Sequence, residues 1–304
     1  MIKQILLGGL FLAIGVAHSA SIVVLQGDSS DFGRKFFSGF SSVVTESIKA
    51  FQYDISKDRA ILEQIKSLQP DLILTIGKAP VEAMVNLLPS TPFIVSDYFS
   101  PSLVKKPNVV LMERIPPTDE AFELLFKFNP EIKSIGTIYN PQYSKSIFDR
   151  LVKSATSKKI RVASIKASQS KDVKSYVTAF AGKIDAYVAI RDLTLSSPTA
   201  MQAIYEFSQK NQVPVVSLDP AHQGQPALIN LAVDPIQLGT QAWEVAKIVL
   251  REKKIPELPS KLAPSELNLT VSLSAVSLLE KGMQLLPKFL QETTDVNYTV
   301  RVIH

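Results

Sequence analysis

Short apolar runs alternate with stretches of helical period along almost the whole chain, and this alternation narrows the possible folds more than any other feature. Ile22-Val23-Val24-Leu25-Gln26, Leu72-Ile73-Leu74-Thr75-Ile76, Phe93-Ile94-Val95 and Val109 to Met112 read as strands in the first part. Ile135 to Tyr139, Val162 to Ile165, Ala186 to Ile190, Val213 to Val216, Leu228 to Ala232 and Leu267 to Val271 follow in the second. Continuous apolar runs of this length suit parallel strands covered on both faces. Between them, Phe32, Phe36, Phe37, Phe40, Val43, Val44, Ile48 and Phe51 recur at helical spacing and predict one long helix. Later helices are marked by Ile61, Leu62, Ile65 and Leu68, by Ala121, Phe122, Leu124 and Leu125, and by Ile147, Phe148, Leu151 and Val152.

Caps sharpen the reading. Thr118, Ser144 and Ser170 are expected as helix caps, and Ser197-Pro198 and Asp234-Pro235 as helix starts, since proline at the first helical position loses no hydrogen bond. Pro80 opens a short helix, and Gly282 is expected to end one. The tail from Glu292 to His304 carries no pattern that assigns it.

The double proline at Pro116-Pro117 splits the alternation into two runs, and 304 residues with 46% hydrophobic content suit two cores. The expected fold is α/β, with two doubly wound parallel-sheet lobes joined by a hinge. Residues 20–113 with about 228–262 form the first lobe, and 114–227 with about 263–304 the second. A closed barrel of eight strand–helix units competes; the central prolines and the polar strand ends in both halves favour two open sheets. Residues 1–19 read as a signal peptide. Lys3 precedes an apolar stretch from Ile5 to Val16, and Ala17-His18-Ser19 supplies small residues for cleavage. A soluble periplasmic chain is expected.

Ligands of open parallel sheets sit beyond the carboxyl ends of the strands. The polar residues there are Gln26, Asp28 and Ser29, then Thr75 and Gly77, then Ser96 and Asp97. In the second half they are Tyr139 and Asn140 with Ser144, then Arg191 and Asp192, then Ser217 and Asp219. Such a set suits a small polar or zwitterionic solute. Thr75 and Ser96 with Asn140 and Ser144 are expected to hold an anionic group, and Asp97 or Asp192 to pair with a cation.

Catalytic readings find little support. There are no cysteines, which removes disulfides, thiolate metal sites and thiol nucleophiles. Beyond the leader only His222 and His304 remain, and His222 is expected as a solvated loop side chain. Nucleotide-cradling glycine loops and the Gly-x-Ser-x-Gly elbow are absent. The net charge of +5 is scattered, with no aromatic–basic interleaving, so no nucleic-acid partner is expected. No enzyme activity, cofactor or metal is expected, and a monomer is.

At four segments the chain resembles ABC-transporter substrate-binding proteins of the tryptophan/tyrosine-binding type, with the type I periplasmic binding protein fold. These are Pro70 to Pro80, Phe128 to Pro141, Asp185 to Asp192 with Pro214-Val215-Val216, and Leu238 to Leu250 followed by Leu258-Pro259 and the Leu267-to-Leu273 strand. The resemblance implies capture of a small solute, with amino acids first, in an interlobe cleft, and delivery to a membrane permease with its ATPase. The alternative is a ligand-sensing or adaptor protein that acts on a receptor or envelope complex.

Overall fold

The computed structural model describes residues 20–53, 58–77, 81–97, 106–255, 259, 261–294 and 298–303. The expected leader at 1–19, Lys78-Ala79-Pro80, Leu258, His304 and the side chain of Asp97 lie outside that set.

Two sheets organise the chain. The first is built from β1 (Ser21–Gln26), β2 (Ser47–Gln52), β3 (Leu72–Ile76), β4 (Phe93–Asp97), β5 (Val109–Glu113) and a short β11 (Lys261–Leu262). Its order is β11-β5-β4-β3-β1-β2, and every pairing is parallel. The second contains β6 (Ser134–Tyr139), β7 (Arg161–Lys166), β8 (Ala186–Ala189), β9 (Val215–Ser217), β10 (Ile229–Val233), β12 (Leu267–Ser272) and β13 (Tyr298–Ile303). Its order is β13-β12-β10-β9-β8-β6-β7, with β10 and β12 antiparallel and the other pairings parallel. Both sheets repeat one winding: the second strand of the run lies outside the first, and the third to fifth extend the other way. In each, the order reverses between the first and third strands, β1/β3 and β6/β8. These are the switch points where such sheets open a crevice.

Helices cover both faces. They are α1 (Asp31–Val43), α2 (Asp58–Ser67), α3 (Val81–Leu87) and α8 (Pro235–Glu252) in the first unit, and α4 (Thr118–Phe128), α5 (Pro141–Ser157), α6 (Val173–Thr178), α7 (Pro198–Asn211), α9 (Leu273–Val276) and α10 (Gly282–Thr294) in the second. One apolar cluster runs from Ile22, Phe40 and Leu74 through Ile115 to Ile135, Leu151 and Leu231, so the two units share a continuous core at the crossings. Glu113 at the end of β5 accepts from Arg150 of α5 at 2.8 Å and pairs with Lys261 of β11 at 3.5 Å, which ties the first sheet to a helix of the second unit.

Several expectations change. The stripe predicted as one helix breaks at Val44, which caps α1 in extended conformation, and Ile48 and Phe51 sit on β2. Residues three apart share a face in a helix but face opposite sides of a strand. Ile48 packs on one core of the first sheet and Phe51 on the other, so both are apolar for different reasons. The strand at Ile229–Val233, expected in the first lobe, pairs with β9 and β12 in the second sheet; the chain crosses back only at Asp234. The cap of α4 is Pro117 rather than Thr118, and Ser170 opens a short 3-10 turn. Gly282 begins α10 instead of ending a helix. A Cβ there would lie 2.0 Å from the Val276 carbonyl oxygen, so close approach explains the glycine. The unassigned tail supplies β13, whose Tyr298 hydroxyl donates to Glu120 at 2.8 Å.

Ser197 and Asp234 cap α7 and α8 as expected, each with proline behind it. The contact of α1 with α8 is equally specific. A Cβ on Gly39 would lie 2.1 Å from the Ile236 carbonyl oxygen, and one on Gly239 would lie 2.1 Å from that of Phe36. Beside them Trp243 meets Phe40 edge to face, 6.0 Å between ring centroids. The obstacles are backbone atoms, which cannot swing away. Gly239→Ala is therefore expected to destabilise the protein by about 1–3 kcal/mol, measured by urea unfolding; an unchanged midpoint would contradict this packing.

Candidate functional site

The carboxyl ends of the two sheets carry the polar residues, and most are committed to one another. In the first sheet, β1 leads into Asp28, whose carboxylate accepts from the Ser30 backbone N–H at 2.9 Å and from Arg114 Nη1 at 2.6 Å. Arg114 is 2% exposed. Its Nε donates to Ser96 Oγ at 2.9 Å, and its guanidinium lies 4.6 Å from the centroid of the Phe32 ring. A buried cation needs such partners. Burial raises the Asp28 pKa, but hydrogen bonds from Ser30 and Arg114 and the charge of Arg114 outweigh it, leaving the carboxyl below its ordinary 3.8.

Gly77 follows β3 at φ +82°, and a Cβ there would meet Asp28 Cβ at 2.4 Å, so this turn requires glycine on both counts. The Thr75 hydroxyl is buried without a hydrogen-bond partner among the described residues. Ser29 is exposed and its carbonyl takes Arg34 Nη1 at 2.5 Å; the Gln26 carbonyl takes Gln52 Nε2 at 2.8 Å.

In the second sheet the centre is Asp192, only 1% exposed. Its carboxylate accepts from the Asn140 backbone N–H at 2.6 Å, from the Thr194 backbone N–H at 2.8 Å and from the Ser144 hydroxyl. Asn140 caps α5 by accepting from Gln142 N–H at 3.0 Å, and its Nδ2 donates to Thr194 Oγ1 at 2.9 Å. Ser144, expected as a cap, stands inside the first turn of α5. Asp192, expected to meet a ligand cation, instead joins the β6–α5 turn to the β8–α7 loop. Likewise Asn140 and Ser144, expected on an anionic group, serve this network.

Asp219 is fully buried. It accepts from Ala221 N–H at 3.0 Å, from Ser196 Oγ at 2.5 Å and from Arg191 Nη1 at 3.2 Å, while its own N–H donates to Ser217 Oγ at 3.1 Å. Tyr139 stacks on Phe148, with centroids 3.9 Å apart and planes 4° from parallel.

His222 corrects the sequence expectation. It is fully buried, because the 3-10 turn Pro220–His222, capped by Asp219, tucks the ring inward, where Nδ1 lies 3.0 Å from the Tyr205 hydroxyl. Burial holds its pKa below the ordinary 6.5, and the nearby Asp219 opposes that shift.

A cavity of about 300 Å³ has walls from both units. Asp31, Phe32 and Lys35 of α1 face Pro220 and Gln223 after β9, with Ala232 to Ile236 at the crossing and Asn268 and Arg301 beside it. None of the described strand-end residues expected to bind ligand lines this cavity. Sequence reasoning missed Arg114 and Phe32. A lone arginine between an apolar strand and a double proline was the available signal. Among the described residues, no group of three or more His, Asp or Glu side chains is placed to hold a metal, and no helix is long and apolar enough to cross a membrane.

A family profile described as ABC transporter substrate binding protein matches residues 41–300. The chain belongs to this family. A curated relative, the tyrosine-binding protein of Clostridioides difficile (strain R20291), is 29% identical over an alignment of 219 residues that covers 68% of this chain. The match covers 63% of that relative, less than two thirds of its length. Among solved structures, a ligand-free, open substrate binding protein with adhesive properties from Clostridium difficile aligns with TM-score 0.72 at 20% identity, over 94% of this chain and 100% of that one. A Streptococcus pneumonia ABC domain in complex with L-Trp aligns with TM-score 0.60 at 19% identity, over 93% and 100%. The shared architecture is the type I periplasmic binding fold, as the alternation and the four resembling segments predict.

Two outcomes follow from the networks. Asp192→Ala strands three donors in a buried place and is expected to cost about 2–4 kcal/mol in urea unfolding. The neutral state of His222 is favoured by folding, so its contribution is complete above pH 6.5 and is lost as pH falls through the depressed folded value. Unfolding midpoints are expected to fall from pH 7 to pH 5 in the parent and to fall less in His222→Asn. Parallel curves would remove this role.

Proposed function

We propose that this chain captures a small solute, an amino acid with aromatic ones foremost, between its two sheet ends and delivers it to a permease and its ATPase. The carrying observation is the cavity walled by both units beside the sheet ends, reached by a chain that crosses between units at 114–117, at Asp234 and at 263–266. About 300 Å³ stands at the lower end of small-molecule sites, roughly 300–1,000 Å³. A solute touching both units favours their approach by its differential affinity for the closed form. The crossings serve as the hinge in this reading. Family membership supports transport, and the names of the relatives support tyrosine and tryptophan as first ligands. The protein acts as a monomeric binding module of the periplasm, exported by the leader at 1–19, and performs no chemistry on its solute.

The ligand site takes its shape from the locked polar ends. Arg114, Asp28 and Ser96 hold the first wall, and Asp192 and Asp219 hold the second. The Thr75 hydroxyl, Gln26 and the Asp97 position complete the polar set near the first switch point. A thermal-shift screen of ligand-stripped protein against the twenty amino acids tests the reading. L-tyrosine or L-tryptophan at about 100 times Kd is expected to add about 2.7 kcal/mol, a rise of about 5–10 °C in Tm. No shift with any amino acid would overturn the proposed ligand class.

A further inference from the structure

The second sheet presents an apolar pair where its polar groups are already committed. Asp192, Asn140, Ser144 and Thr194 bond to one another, and Asp219 binds Arg191, Ser196 and Ala221. Around that network stand Leu193 at 64% exposure and Tyr143 at 50%, both among the exposed large apolar side chains of the chain. Leu193 follows Asp192 in the loop after β8, and Tyr143 precedes Ser144 in the first turn of α5, after β6. These strands are neighbours, and the gap between them is the switch point of the sheet.

The exposure is built into the loop. Asp192 is held through its side chain by three donors and through its carbonyl by Leu195 N–H at 3.0 Å and Ser196 N–H at 2.9 Å. Leu193 therefore has little room to fold back into the core. Isolated exposed apolar residues are common on protein surfaces. Here two of them follow neighbouring strands, one in each of the two turns that the bonded network joins.

We propose that Leu193 and Tyr143 form the apolar face on which the second sheet receives the side chain of the captured amino acid, and that they set its preference for an aromatic ring. The inference rests on the solute-capture reading above. The committed polar groups shape and stiffen the loops, while the uncommitted apolar groups touch the ring and lose their water when the units close on it.

The test is calorimetric titration of L-tyrosine and L-tryptophan into the ligand-stripped mature chain and into Leu193→Ala, Tyr143→Ala and the double variant. Met283→Ala, at a side chain 54% exposed on α10, serves as a control of equal surface character. Each single variant is expected to weaken binding about five- to tenfold, the double variant more, with Tm unchanged and the control at parent affinity. Affinities within twofold of the parent in the double variant would overturn the assignment while leaving solute capture intact. A parent that binds neither aromatic amino acid would overturn the ligand reading itself and this inference with it.

Discussion

A parallel sheet covered on both faces has only its strand ends left for polar chemistry, and the rest of this molecule follows from that constraint. β3, β6 and β8 are buried through their whole length, and β1 through all but its end residues, because helices press on both sides. Polar side chains therefore gather where the strands stop. A carboxylate at a strand end is poorly hydrated, so it must find donors nearby. Asp28, Asp192 and Asp219 each do, and the donors they find fix the loops around them.

The two ends solve the problem with different donors. At the first, the buried guanidinium of Arg114 joins Asp28, Ser96 and Phe32, so that charge meets charge with an aromatic face alongside. At the second, Asp192 uses backbone N–H groups and a hydroxyl. The second end also holds an ion pair, Asp219 with Arg191, so charge braces both ends while uncharged donors hold Asp192. Both tie their loops to several partners at once.

Much of this was legible in the residues. Alternation of strand and helix, the crossing at Pro116-Pro117, the caps at Ser197 and Asp234, and the cluster of polar residues at strand ends are local signals, each with a local physical cause. Other features were ambiguous because one local pattern has two structural meanings. Ile48 and Phe51 satisfy a helix and also a strand with two covered faces. Gly282 looks like a helix terminator and is a point of close backbone approach. His222 in a Pro/Gly-flanked loop looks solvated, yet the turn that Asp219 caps carries its ring into the core.

The sequence by itself determined that this chain builds two wound parallel sheets, because apolar period and cap chemistry act over a few residues. It also determined which residue types stand at the strand ends. Only the tertiary structure decided which of them remain free. Whether Asp192 meets a solute or its own loop depends on Asn140, Ser144 and Thr194, which arrive from a neighbouring strand about fifty positions away or from the next turn. Hydrogen-bond satisfaction is a property of packed neighbours in space, and no spacing along the chain records it. For the same reason Leu193, exposed while Leu195 two positions on is buried, is set apart only by how the loop packs.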